Sequence, residues 1–135
     1  MSEKSIIIIP CSGIGKPFGT ISRDATFRVV DDLRKGKTET DCLSLLVTGD
    51  EEAIKKIQLS RCIAVDGCPL ECARKNIEIA GGKIAAHFRV MDFLRENRSL
   101  KPRQITILDD DGTTLSEILA NKIAEKVDEL GDLQS

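Results

Sequence analysis

The residues most able to do chemistry here are five cysteines, Cys11, Cys42, Cys62, Cys68 and Cys72. Thiolates bind borderline-soft metals and attack electrophiles, so the settings of these five decide what the chain can do. Cys11 follows an isoleucine run and opens a glycine-rich turn, in "IIIIPCSGIGKPFGTIS". Cys42 starts "CLSLLVTG", and Cys68 and Cys72 share "VDGCPLECARKNIEIAG". Cys62 differs, because it lies inside the apolar run "RCIAV" and reads as core or edge packing, where a buried thiol behaves as a small hydrophobe.

Cys68 and Cys72 are spaced i, i+4. With Pro69 as the first helical residue, Cys68 sits near the cap and Cys72 about one turn in, with Cβ atoms about 5–6 Å apart. Zinc–sulfur bonds of about 2.3 Å in a tetrahedron put sulfurs roughly 3.8 Å apart, which this spacing meets. A disulfide between the two is less natural, since it needs Cβ atoms about 3.8 Å apart and a perpendicular torsion. Helix N-termini stabilise anions, which favours thiolate at Cys68 and, with it, at Cys42.

The glycine-rich turn invites a competing reading as a phosphate loop. A P-loop needs Gly, four residues, then Gly-Lys-Ser/Thr. Gly15-Lys16 is present, but Pro17 replaces the hydroxyl and Pro10 the first glycine. In the dinucleotide pattern from Gly13 and Gly15, the third glycine falls on Phe18. A phosphatase-type loop from Cys11 would need Arg where Pro17 stands. All three patterns fail, and the turn reads instead as a device that presents Cys11, with Gly13 and Gly15 turning backbone amides toward the sulfur from outside the ligand set.

The elements that position these residues follow from periodicity. Residues 5–9 form a β-branched run ended by Pro10, the mark of a strand buried on both faces. Gly13, Gly15, Pro17 and Gly19 read as a loop, Ser22 as a cap, and "FRVVDDLRKG" as a helix stopped by Gly36. "GKTET" reads as a polar connector, "CLSLLVTG" as a short helix, and Asp50 as the cap of "EEAIKKIQLS". Residues 62–65 form a second strand, residues 69–81 a helix, "KIAAHFRV" a third strand, "MDFLRENRSL" a helical turn or two, and "QITIL" a fourth strand. Thr113 or Thr114 opens the last helix, to about Leu130. The acidic Asp109-Asp110-Asp111-Gly112 lacks the other ligands of a calcium loop, and Ala120 stands where the closing Glu belongs. It reads as a loop and helix cap. Strands alternating with helices predict an α/β fold, a three-layer αβα sandwich around a small, mostly parallel, Rossmann-like sheet of about four strands. Carboxyl ends of parallel strands share one edge, so Cys11 and Cys68 converge there if the first two strands are neighbours. Cys42 lies in the crossover between them. His87 falls within the third strand and reads as an ordinary side chain on one strand face.

Bulk properties narrow the classes. The 135 residues suit one domain over residues 1–135 that buries a core without disulfides. A net charge of −2, four Phe and no Trp or Tyr argue against nucleic-acid partners. The four-isoleucine run is too short for a signal or membrane segment. The expectation is a cytoplasmic protein without a membrane partner, in which cysteines serve as ligands or reactive thiols.

The Cys-Ser-Gly-Ile-Gly loop and Asp66-Gly67-Cys68-Pro-Leu-x-Cys72 resemble the DGC-domain family, small prokaryotic proteins described as zinc-binding. The likeness runs over about residues 6–90. It implies Zn2+ held by Cys11, Cys42, Cys68 and Cys72, and no established reaction. Asp66 fits an acceptor of a backbone N–H in the following turn, and Gly67 a backbone that needs positive φ or close approach. Four thiolates close a zinc coordination sphere, which argues for a structural or metal-handling role. Two alternatives stay open: thiol-based redox or sulfur transfer through Cys11 and Cys68, and an iron–sulfur cluster on the same four cysteines.

Overall fold

The computed structural model describes residues 6–11, 17–41, 43–67, 70–102 and 108–132. The isoleucine run forms β1 (Ile6–Pro10), buried along its whole length. There follow α1 (Pro17–Arg28), continued by a π-helical turn over Val29–Leu33, then β2 (Thr38–Thr40), α2 (Leu43–Thr48) and α3 (Glu51–Leu59). The chain continues through β3 (Arg61–Asp66), α4 (Cys72–Ile79), β4 (Lys83–Arg89), α5 (Val90–Glu96) and α6 (Asp110–Asp132).

The strands pair in the order β2-β1-β3-β4, all parallel. Side chains alternate across a strand, and both faces of this sheet are covered. Ile6, Ile8, Ile63 and Val65 pack with Ile21, Val29, Val90, Leu115, Leu119 and Ile123 from α1, α5 and α6. Ile7, Ile9, Cys62 and Ala64 pack with Leu43, Leu46, Ala53, Ile57, Ala73 and Ile77 from α2, α3 and α4. The result is the expected α/β sandwich. Right-handed crossovers running outward from β1 in opposite directions put their helices on opposite faces, and α1 and α4 obey that division. Among the described residues, no helix is long and apolar enough to cross a membrane.

Several boundaries differ from the sequence reading. "GKTET" is not only a connector: Thr38–Thr40 form the edge strand β2, and Thr40 Oγ1 donates to the Ile8 carbonyl at 2.8 Å. An edge strand with one wet side carries no apolar run to announce it. Helix α1 begins at Pro17, which pre-sets the first-turn φ, so Pro17 and Gly19 belong to the helix and Ser22 lies inside it, fully buried. Helix α4 begins at Cys72 and not at residue 69. Val90 starts α5 instead of ending a strand, and α6 starts at Asp110, because Asp109 caps it: Oδ1 accepts from Gly112 N at 2.8 Å. Asp109 is the helix cap expected of the acidic run, while Asp110, Asp111 and Gly112 lie in the first turn of α6 and not in a loop. Asp50 caps α3 as read, accepting from Ala53 N at 3.0 Å. The expected strand over residues 104–108 falls outside the described residues except for Leu108, which is in no strand.

Candidate functional site

The strand order determines where a site can form. From β1 the chain crosses to β2 on one side and then returns past β1 to β3 on the other. In doubly wound sheets of this order, a crevice opens beyond the carboxyl ends of β1 and β3. Cys11 follows β1 directly, and Gly67 follows β3.

Cys11 continues the alternation of Ile7 and Ile9, so its side chain joins the layer of α2, α3 and α4. Its own N–H donates to the Val65 carbonyl at 2.9 Å, which extends the β1–β3 ladder by one step. The sulfur is 1 % exposed and accepts the Gly67 N–H at 3.0 Å. Ser22 Oγ stands 3.5 Å from it and donates to the Gly19 carbonyl at 2.7 Å. The role of Gly67 is close approach, not positive φ: a Cβ there would lie 2.7 Å from the carbonyl carbon and oxygen of Phe18 and 2.8 Å from Gly19 N. The first turn of α1 thus rests with its backbone against the end of β3, and Gly67 keeps that contact free of side chain.

Asp66 is the last residue of β3 and is fully buried. Its carboxylate accepts from Ala73 N at 2.8 Å through Oδ1 and from Arg74 N at 3.2 Å through Oδ2. These are first-turn donors of α4, which a helix cannot satisfy internally, and the helix dipole favours the negative charge. Asp66 therefore anchors α4 through backbone N–H groups, the role read from its turn chemistry. His87 on β4 pairs in register with Ala64 of β3 and so shares the face of Asp66. Its Nε2 is 2.8 Å from Asp66 Oδ2, and its Nδ1 is 3.6 Å from Glu71 Oε1. Glu71, the N-cap residue of α4, has φ 55° and ψ 45°, left-handed for a non-glycine residue. The Arg74 guanidinium, 2.9 Å from Glu71 Oε1, holds that carboxyl below the usual carboxylate range.

Of the four predicted ligands, Cys11 and Cys72 are described, and they share one layer: Cys72 is partly buried and packs against the cluster that contains Cys11. Cys42 and Cys68 lie outside the described residues, as do Gly13 and Gly15. Their described neighbours are Leu43, buried in the same cluster as Cys11, and Gly67, bonded to its sulfur. Helix α4 starts at Cys72 and not at the expected Pro69, so the helix dipole bears on Cys72 at its first position. Among the described residues, no three His, Cys, Asp or Glu side chains form a metal-binding group. Cys62 is core, as read: it is fully buried, points at the Ile57 carbonyl 3.6 Å away, and burial pushes its thiol up to about 11. His87 is more than the plain strand-face residue of the sequence reading. Its link to Asp66 comes from strand register, which spacing along the chain does not reveal.

Comparison with curated proteins, and with solved structures, finds no match. The DGC domain matches residues 7–110, a stretch that takes in Cys11, Asp66-Gly67-Cys68, Cys72 and His87. The chain belongs to the DGC-domain family.

Proposed function

We propose that the chain holds one zinc ion through the thiolates of Cys11, Cys42, Cys68 and Cys72, at the crevice beyond β1 and β3, in a structural or metal-handling role. The observation that carries this reading is the Gly67 N–H bond to the Cys11 sulfur at 3.0 Å. It ties the residue just before Cys68 to Cys11 across two adjacent strands, at the edge where sites form. The sulfur acts there as an acceptor, as a metal-bound thiolate does toward its outer shell. An all-sulfur donor set suits zinc.

The same geometry weighs against thiol catalysis. Cys11 is 1 % exposed, which keeps electrophiles from it, and both nitrogens of His87 face carboxylates, which leaves none to serve as a base for a thiol. A reducing compartment such as the cytoplasm would keep the four thiols available to metal. The test is metal content by plasma mass spectrometry on untagged protein, with each of the four cysteines changed to Ser and Cys62→Ser as control. The expected result is one zinc per chain, lost in each of the four variants and kept in the control. Metal-free, folded wild-type protein would contradict it, and a brown protein containing iron and sulfide would replace zinc with a cluster.

A further inference from the structure

Asp66 ends β3, and Glu71 is the N-cap residue of α4. A single side chain from a third element, His87 of β4, faces both, through Nε2 at 2.8 Å and Nδ1 at 3.6 Å. We propose that His87 is a positioning residue: it clasps Asp66 at the end of β3 and Glu71 at the start of α4, and so fixes where α4 places Cys72. The proposal rests on the zinc reading above.

Three observations support the clasp. With both ring nitrogens turned to carboxylates, the imidazole is committed to orientation instead of metal ligation or proton transfer to a thiol. Asp66 already satisfies two N–H groups of α4 without help, so the imidazole adds what those bonds lack, a side-chain tie from Asp66 to β4. Glu71 holds a left-handed backbone that non-glycine residues keep only where their surroundings enforce it. Arg74 of α4 holds its carboxylate at 2.9 Å, and the His87 ring of β4 faces the same oxygen at 3.6 Å. The chain between these fixed points carries one proposed ligand, Cys68, and delivers the next, Cys72, at the first position of α4. Groups that orient metal ligands from outside the coordination sphere typically change affinity by about 10–100-fold when removed.

The experiment compares full-length wild type, His87→Ala and Glu71→Gly. Zinc affinity is read by competition with a chromophoric chelator, backbone amide exchange at Ala73 and Arg74 by NMR, and folding by circular dichroism. The expected result for His87→Ala is native secondary structure, faster exchange at both amides and zinc affinity lowered about 10–100-fold. Glu71→Gly separates positioning from simple stability. Glycine relieves the left-handed backbone, so this variant is expected to fold at least as well as wild type yet bind zinc more weakly. Wild-type zinc affinity in both variants would overturn the clasp. Should His87→Ala not fold, wild-type affinity in Glu71→Gly would overturn it alone. Wild-type protein that takes up no zinc would overturn the reading beneath it, and that result needs no variant to recognise.

Discussion

At the scale of single residues, the five cysteines divide by environment. Cys62 and Cys11 are both buried, but Cys62 sits among Ile57, Ala64 and Ile77, with backbone carbonyls for its sulfur to face. A carbonyl accepts a proton and gives none, and the apolar surroundings disfavour charge. The thiol is pushed up to about 11 from an ordinary 9.0. The consequence for pH has a definite sign. Between pH 9 and about 11 the unfolded chain loses this proton and the folded chain keeps it, so stability contributed by Cys62 is present below pH 9 and falls as pH rises through that window. In native protein at pH 8, mass-spectrometric mapping after iodoacetamide treatment is expected to leave Cys62 unmodified while the denatured chain is alkylated there. Rapid native labelling of Cys62 would contradict its place in the core. This assignment was legible from one residue and its neighbours, because an apolar run on both sides of a cysteine has one simple meaning. The role of His87 was not legible. Its partners Asp66 and Glu71 lie 21 and 16 positions away along the chain, and only parallel pairing with a bulged register brings it to Asp66.

At the scale of elements, the site depends on how closely α1 approaches the end of β3. Gly67 meets the backbone of Phe18 and Gly19, not a flexible side chain, so neither partner can step aside. Gly67→Ala is therefore expected to destabilise the fold by about 1–3 kcal/mol, the usual cost of overpacking. It should also lengthen the N–H bond to Cys11. Urea unfolding measures the first effect, and a midpoint equal to that of wild type would show that the contact is looser than described. Strands β1, β3 and β4 could be read from sequence because each carries a β-branched or apolar run. β2 could not, because an edge strand of three residues, Thr38 to Thr40, buries too little to leave a pattern. The starts of α1 and α4 were missed for opposite reasons. Pro17 and Gly19 look like loop residues, yet Pro17 fits a helix's first turn and Gly19 lies within the same helix. Pro69 looked like a helix start, but the chain passes through the left-handed Glu71 before α4 begins.

At the scale of the whole molecule, the arrangement reads as one design. Two apolar layers, one on each face of a four-stranded parallel sheet, hold β1 and β3 side by side. Their carboxyl ends then bring Cys11 and Gly67 together, with α4 anchored by Asp66. The α/β class was readable from alternating elements. The order β2-β1-β3-β4 was not, since no local pattern encodes which strands become neighbours. We propose that Cys11, Cys42, Cys68 and Cys72 hold one zinc ion, and zinc K-edge X-ray absorption on the purified full chain tests this. The expected spectrum has a shell of four sulfur scatterers at about 2.3 Å and no nitrogen or oxygen in the first shell. A mixed shell with nitrogen or oxygen at about 2.0–2.1 Å, or no bound zinc to measure, would contradict it.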